Sequence, residues 1–157
     1  MKNSLDRLAL FMLLFGLLCV CAACTNAKYP AGKDTKKSYG DGTFQLLSSA
    51  EHEALSYEKY GSIILENVIS SCETKGKLYA IGSEMQGFSN QYHYMVYMVV
   101  DLRSNTMQIC PVTEEIYNRS FYTYRLDEMI DNGDAVLYGS LTDFAEEDYQ
   151  ILAEMQP

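Results

Sequence analysis

The sequence predicts an α+β domain, built mainly from antiparallel hairpins with short helices and a C-terminal amphipathic helix. Three observations predict it. Two β-rich runs between 62 and 110 each turn back on themselves at residues suited to a hairpin. Tyr92 to Asp101 is apolar on both faces, as a strand in the middle of a covered sheet must be. The last residues carry apolar positions at helical spacing, so strands and helices are segregated along the chain rather than alternating.

Taken in order, residues 25–42 (TNAKYPAGKDTKKSYGDG) hold a proline, three glycines and scattered lysines without an apolar period, which predicts a flexible basic linker. Thr43 to Ser48 reads as a short strand. Ser48-Ser49-Ala50-Glu51 has the spacing of a capping box and Gly61 could supply a C-terminal stop, predicting a helix over 49–60 with Ala50, Ala54 and Leu55 on one face. SIILENVISSC and KLYAIGS, separated by Glu73-Thr74-Lys75-Gly76, form the first hairpin, with Gly76 free to take the positive φ of the turn.

The second hairpin pairs Tyr92–Asp101 with TMQIC at 106–110. Its two faces are Tyr92, Tyr94, Val96, Met98 and Val100 on one side and His93, Met95, Tyr97 and Val99 on the other. Asn105 is the turn residue best able to adopt a left-handed conformation. Pro111 ends the run because it has no N–H for a ladder. Thr113-Glu114-Glu115-Ile116 opens a short helix, and the type of RSFYTYR stays open. Leu126 to Ile130 is helical and stopped by Asn132-Gly133, Ala135 to Leu141 is a strand, and a helix runs from Asp143 with Phe144, Ile151, Leu152 and Met155 on its apolar face.

The first two dozen residues are of a different kind. Lys2 and Arg7 precede an apolar run from Leu8 to Val20, shorter than the roughly 20 residues a membrane-spanning helix needs, and Ala22 and Ala23 lead into Cys24. This is the pattern of an export signal. Cys21-Ala22-Ala23-Cys24 resembles the lipobox of bacterial lipoproteins at the two small positions and the cysteine, with Cys21 where an aliphatic residue is usual. The resemblance covers about the first 24 residues. It implies cleavage after residue 23, lipidation of Cys24, and anchoring by lipid to the outer face of a bacterial membrane. Cleavage by the ordinary signal peptidase after Ala27 and an uncleaved anchor are the alternatives. The organisation expected is a signal peptide over 1–23, a lipidated cysteine and basic tether over 24–42, and one acidic domain over 43–157.

Charge tracks that division. Six of the 12 basic residues and three of the 21 acidic ones precede Thr43, so the domain carries a net charge of −12 against −9 for the whole chain. Nucleic acid is a poor partner for such a surface; a protein or other cationic partner, such as a basic peptide, a polyamine or a basic wall-degrading enzyme, would suit it, and the alternative is that the acidity serves solubility alone. The lysines of the tether favour anionic headgroups.

With Cys24 lipidated, Cys72 and Cys110 are the thiols outside the signal. In an exported protein such a pair invites a disulfide, contributing about 3–4 kcal/mol through the unfolded chain; two buried free thiols are the alternative.

Catalytic and metal chemistry are thinly supplied. His52 lies between Glu51 and Glu53, and side chains one residue apart on a helix do not face each other, so the trio is a poor metal clamp. His93 stands in an apolar strand. Placing Gly133 as the turn glycine of a calcium loop puts Ile130 and Gly139 at ligand positions, which excludes that loop. No phosphate loop and no Gly-x-Ser-x-Gly elbow is present. No catalytic residue, metal ligand or cofactor is therefore assigned.

Tyrosine is abundant, with 13 in the chain. Tyr92, Tyr94 and Tyr122 are candidates for a recognition face, since tyrosine joins a rigid contact area to a polar tip. The functional reading is a membrane-tethered, non-catalytic lipoprotein with a binding or envelope role. One alternative is an inhibitor or immunity-type protein covering a basic toxin or lytic enzyme. The other is an extracytoplasmic hydrolase using paired carboxylates such as Asp127 and Glu128.

Overall fold

The computed structural model describes residues 27–49, 52–85, 93–110 and 126–156, with residues 83, 84, 85, 93 and 94 described as strand positions only. They form two sheets and two helices, an α+β fold dominated by sheet. The first sheet is a four-stranded antiparallel meander of β1 (Thr35–Tyr39), β2 (Phe44–Ser48), β3 (Glu53–Tyr57) and β4 (Ser62–Leu65). The second has five strands in sequence order: β5 (Val68–Thr74), β6 (Lys77–Met85), β7 (His93–Asp101), β8 (Thr106–Cys110) and β9 (Ala135–Leu137). All neighbours are antiparallel except β8 and β9, which are parallel, as the connection through helix α1 (Leu126–Asp131) allows.

Alternation along the strands produces a layered packing. Phe44, Leu46, Leu55 and Tyr57 from the first sheet meet Leu78, Ala80, Val96, Met98, Val100, Met107 and Ile109 from the second, forming the larger core. Leu126 and Met129 of α1 join it. The other face of the second sheet presents Tyr79, Ile81, Tyr97, Val99 and Cys110 to Phe144 and to Leu152 of helix α2 (Glu146–Glu154), a second core. The second sheet is thus covered on both sides, and β7 is its middle strand, with the two apolar faces read from its sequence.

Both hairpin turns have the expected backbone chemistry. Lys75 and Gly76 have φ of 52° and 76°, the two positive values of a type I′ turn, and Asn105 has φ 57°. Gly133, at φ 73°, ends α1. Helix α2 starts three residues later than the sequence suggests. Asp143 instead closes a capping box with Ser140 around the single turn Leu141–Asp143. That turn also shortens the strand expected over 135–141.

Several expectations are corrected. The linker expected over 25–42 contains β1, and Tyr39 is buried within the inter-sheet core. Cβ on Gly42 would stand 2.1 Å from the Tyr29 carbonyl oxygen, so the chain ahead of β1 is packed against the sheet. The helix expected over 49–60 is strand β3 where described: Leu55 and Tyr57 alternate inward opposite Leu46 and Phe44, and this two-residue period overrides the capping signal. Gly61, with φ 58°, completes the turn into β4 rather than ending a helix. SIILENVISSC is not one strand either. It breaks at Glu66-Asn67, where the chain crosses from the first sheet to the second.

Of the two alternatives for Cys72 and Cys110, a disulfide or two free thiols, the structure has both thiols free. Cys72 is on β5 and Cys110 on β8, three inter-strand steps apart, or roughly 14 Å, well beyond the reach of a disulfide. Among the described residues, no helix is long and apolar enough to cross a membrane.

Candidate functional site

The first sheet has one face in the inter-sheet core and one turned away from it, and the second of these is only half covered. Gln45 and Ser56 lie side by side on this outer face, both buried. The arm before β1 covers them. Thr35 donates its hydroxyl to Gln45 Oε1 at 2.7 Å and accepts the Gly32 N–H at 2.9 Å, while Gln45 Nε2 donates to the carbonyls of Gly42 (3.1 Å) and Pro30 (3.4 Å). A glutamine whose amide is held at both ends fixes the arm.

Two residues along each strand, the cover stops and a cleft of about 670 Å³ opens. Leu47 and Ala54 are directly paired on β2 and β3 and, with Ile63 of β4, make its apolar floor. Asp34, Ser48, Ser49, His52 and Glu66 make the rim. These come together because antiparallel strands put the start of β1, the end of β2, the start of β3 and the end of β4 at one end of the sheet. The rim is tied at the backbone: Ser48 N–H donates to the Asp34 carbonyl (2.9 Å), and Ser49 N–H and hydroxyl both donate to the His52 carbonyl (3.0 and 2.9 Å).

Thr35 pairs with Leu47, and Leu47 with Ala54. Glu66 comes directly after Leu65, the partner of Leu55, which sets it beside Ala54. Asp34 and Glu66 therefore flank the cleft from the two outer strands, three inter-strand steps or roughly 14 Å apart. Neither carboxylate belongs to an ion pair among the described residues. Among the described residues, the lining contains no lysine or arginine. The Lys36–Glu53 pair at this end of the sheet lies on the inner side of the strands.

Elsewhere the charged side chains pin layers together. Asp134, ahead of β9, accepts from Lys59 and Tyr60 in the β3–β4 turn, and Asn132 Nδ2 donates to the Tyr60 hydroxyl at 3.1 Å. Burial raises the Asp134 pKa, but the bonds from Lys59 and Tyr60 outweigh it and hold the carboxyl below its usual value. Tyr57 donates to the Asn105 carbonyl (2.8 Å), and the Tyr39 and Ser71 hydroxyls lie 3.0 Å apart. These contacts lock one sheet over the other.

Of the residues singled out in the sequence, Cys24, Tyr92 and Tyr122 lie outside the described residues, as do the helix expected at 113–116 and Pro111. Tyr94 is a strand position opposite Glu84, and His93 one opposite Met85. Asp127 and Glu128 are exposed on α1. His52 lies on the cleft rim. Among the described residues, no three His, Cys, Asp or Glu side chains are grouped to hold a metal ion. Asp34, Leu47, Ala54, Ile63 and Glu66 were not legible as a site: they share a cleft only through strand pairing, and the sequence leading into β3 carries a helix-start signal.

Comparisons with protein-family models, with curated proteins and with solved structures find no match to this chain.

Proposed function

We propose that this protein is a lipid-tethered extracytoplasmic lipoprotein with a non-catalytic binding role, and that it binds through the cleft on the outer face of its first sheet. The observation that carries the binding role is the cleft itself: an apolar floor of Leu47, Ala54 and Ile63 inside a polar rim, at a volume suited to a small ligand. The floor supplies affinity and the rim supplies orientation.

The tether rests on the basic start, the short apolar run and the small residues before Cys24. Acyl chains on one cysteine anchor firmly when two or more are present, each buried CH₂ contributing about 0.8 kcal/mol. The six residue steps from Cys24 to Pro30 span at most about 22 Å, and the Pro30 carbonyl already accepts from Gln45. The cleft then works close to the membrane surface.

Detergent phase partitioning and intact mass of wild type and Cys24→Ala test the tether. The wild type should carry acyl mass at Cys24 and enter the detergent phase, and the variant should stay in the aqueous phase. An unacylated wild type that remains aqueous removes the tether.

A further inference from the structure

We propose that the ligand of the cleft is a linear aliphatic polyamine, a flexible hydrocarbon chain with ammonium groups toward both ends. The inference rests on the cleft being a binding site and goes on to its chemistry. Three observations point the same way. The floor is a strip of aliphatic carbon from Leu47, Ala54 and Ile63, which a methylene chain covers without stranding a polar group. A carboxylate stands at either side of that strip, Asp34 beside β1 and Glu66 after β4. Among the described residues, both carboxylates are without a cationic partner and no lysine or arginine lines the cleft to compete.

The two residues stand on opposite outer strands, three strand steps or roughly 14 Å of backbone spacing apart, which suits a ligand charged at its ends rather than at one point. An anion is disfavoured by the same two carboxylates, and a compact cation could reach only one of them. His52 and the Ser48 hydroxyl provide acceptors between the two, suited to an inner amine. The net charge of −9 raises the local concentration of polycations, but by itself it selects no site.

The test is calorimetric titration of the full-length protein in a neutral detergent with spermine, alongside an uncharged diol of matching length. Saturable binding at one site is expected, weakening as salt is raised. Asp34→Asn and Glu66→Gln should each weaken spermine binding by about two- to fivefold, as removal of one exposed ion pair does. Glu154→Gln, the same loss of charge at an exposed position on α2, should change it less.

Absence of saturable spermine binding, or an equal loss from Glu154→Gln, overturns the inference. If the diol binds as tightly as spermine and Ala54→Trp excludes both, the cleft is a binding site and the polyamine assignment is wrong. If neither ligand binds, the cleft reading falls as well. Cys24→Ala should titrate as wild type does, so failure of the tether is read separately.

Discussion

The Tyr79 hydroxyl donates to Asp148 Oδ1 at 2.8 Å from the face of β6, while Lys77 Nζ lies 2.7 Å from Oδ2 of the same carboxylate. Asp148 is 1% exposed, so α2 is fastened to the second sheet by a buried charge as well as by Leu152 and Phe144. Removing the charge leaves the lysine without its counter-ion, while an amide oxygen can still accept the phenol. Asp148→Asn should destabilise the fold by about 2–4 kcal/mol, and Tyr79→Phe, which leaves the ion pair, by about 1 kcal/mol. Urea unfolding monitored by circular dichroism checks the order; equal effects would show that the phenol, not the charge, fastens the helix.

Alkaline pH should weaken the protein in two stages. Burial, ahead of the bond to Asp148, raises the Tyr79 pKa well above its ordinary 10.0, and burial does the same for Tyr57. Burial also pushes the Cys110 thiol from 9.0 up to about 11. Above these ordinary values the unfolded chain loses protons that the native state keeps, so stability falls as pH rises, by up to about 1.4 kcal/mol per pH unit for each group. The contribution is complete below pH 9, begins to fall above it, and falls more steeply above pH 10. Urea midpoints measured from pH 7 to pH 11 should show both breaks, and Tyr57→Phe with Tyr79→Phe should flatten the second.

Gly82 sits at the crossing between the sheets. A Cβ there would stand 2.6 Å from the Asn67 carbonyl oxygen and 2.6 Å from Leu65 Cγ. The backbone oxygen belongs to the connection between β4 and β5 and cannot swing aside as a side-chain tip can. Gly82→Ala should cost about 1–3 kcal/mol, read as a lower urea midpoint with an unchanged slope.

Lys75 takes φ 52° at the first central position of the β5–β6 turn, where Asn-Gly is the preferred pair. Its ion pair with Glu147 is exposed on both sides and contributes little. Lys75→Asn should raise stability by about 0.5 kcal/mol, visible as a higher melting temperature.

The thiols should behave as separate groups. Alkylation of the unreduced, unfolded protein should modify Cys72 and Cys110 fully, with the mass of each unmoved by prior reduction. In the native state Cys72, partly exposed beside Met155, should react before buried Cys110. A two-proton mass difference on reduction would contradict the strand order.

Much of the second sheet was legible locally. Two apolar faces on Tyr92–Asp101 require cover on both sides, and Asn105 and Gly76 mark turns through their own backbone preferences, so β6 to β8 and the turn out of β5 needed no distant information, whereas the start of β5 was hidden inside SIILENVISSC. The C-terminal helix likewise shows its buried face in Leu152 and its half-buried one in Ile151 and Met155. The first sheet was not legible in this way. Its strands are short, Ser48-Ser49-Ala50-Glu51 carries a helix-start pattern, and Tyr39 stands among linker residues.

By itself, then, the sequence determined the class of fold, the middle strand of the second sheet and its two apolar faces, because period and turn chemistry act within a few residues. Tertiary structure alone decided that the chain changes sheets at Glu66-Asn67, that Cys72 and Cys110 stand three strands apart, and that Asp34 and Glu66 face one cleft. Those relations depend on which strand lies beside which, and that is set by burying Phe44, Leu46, Leu55 and Tyr57 against the second sheet, a gain no local pattern contains.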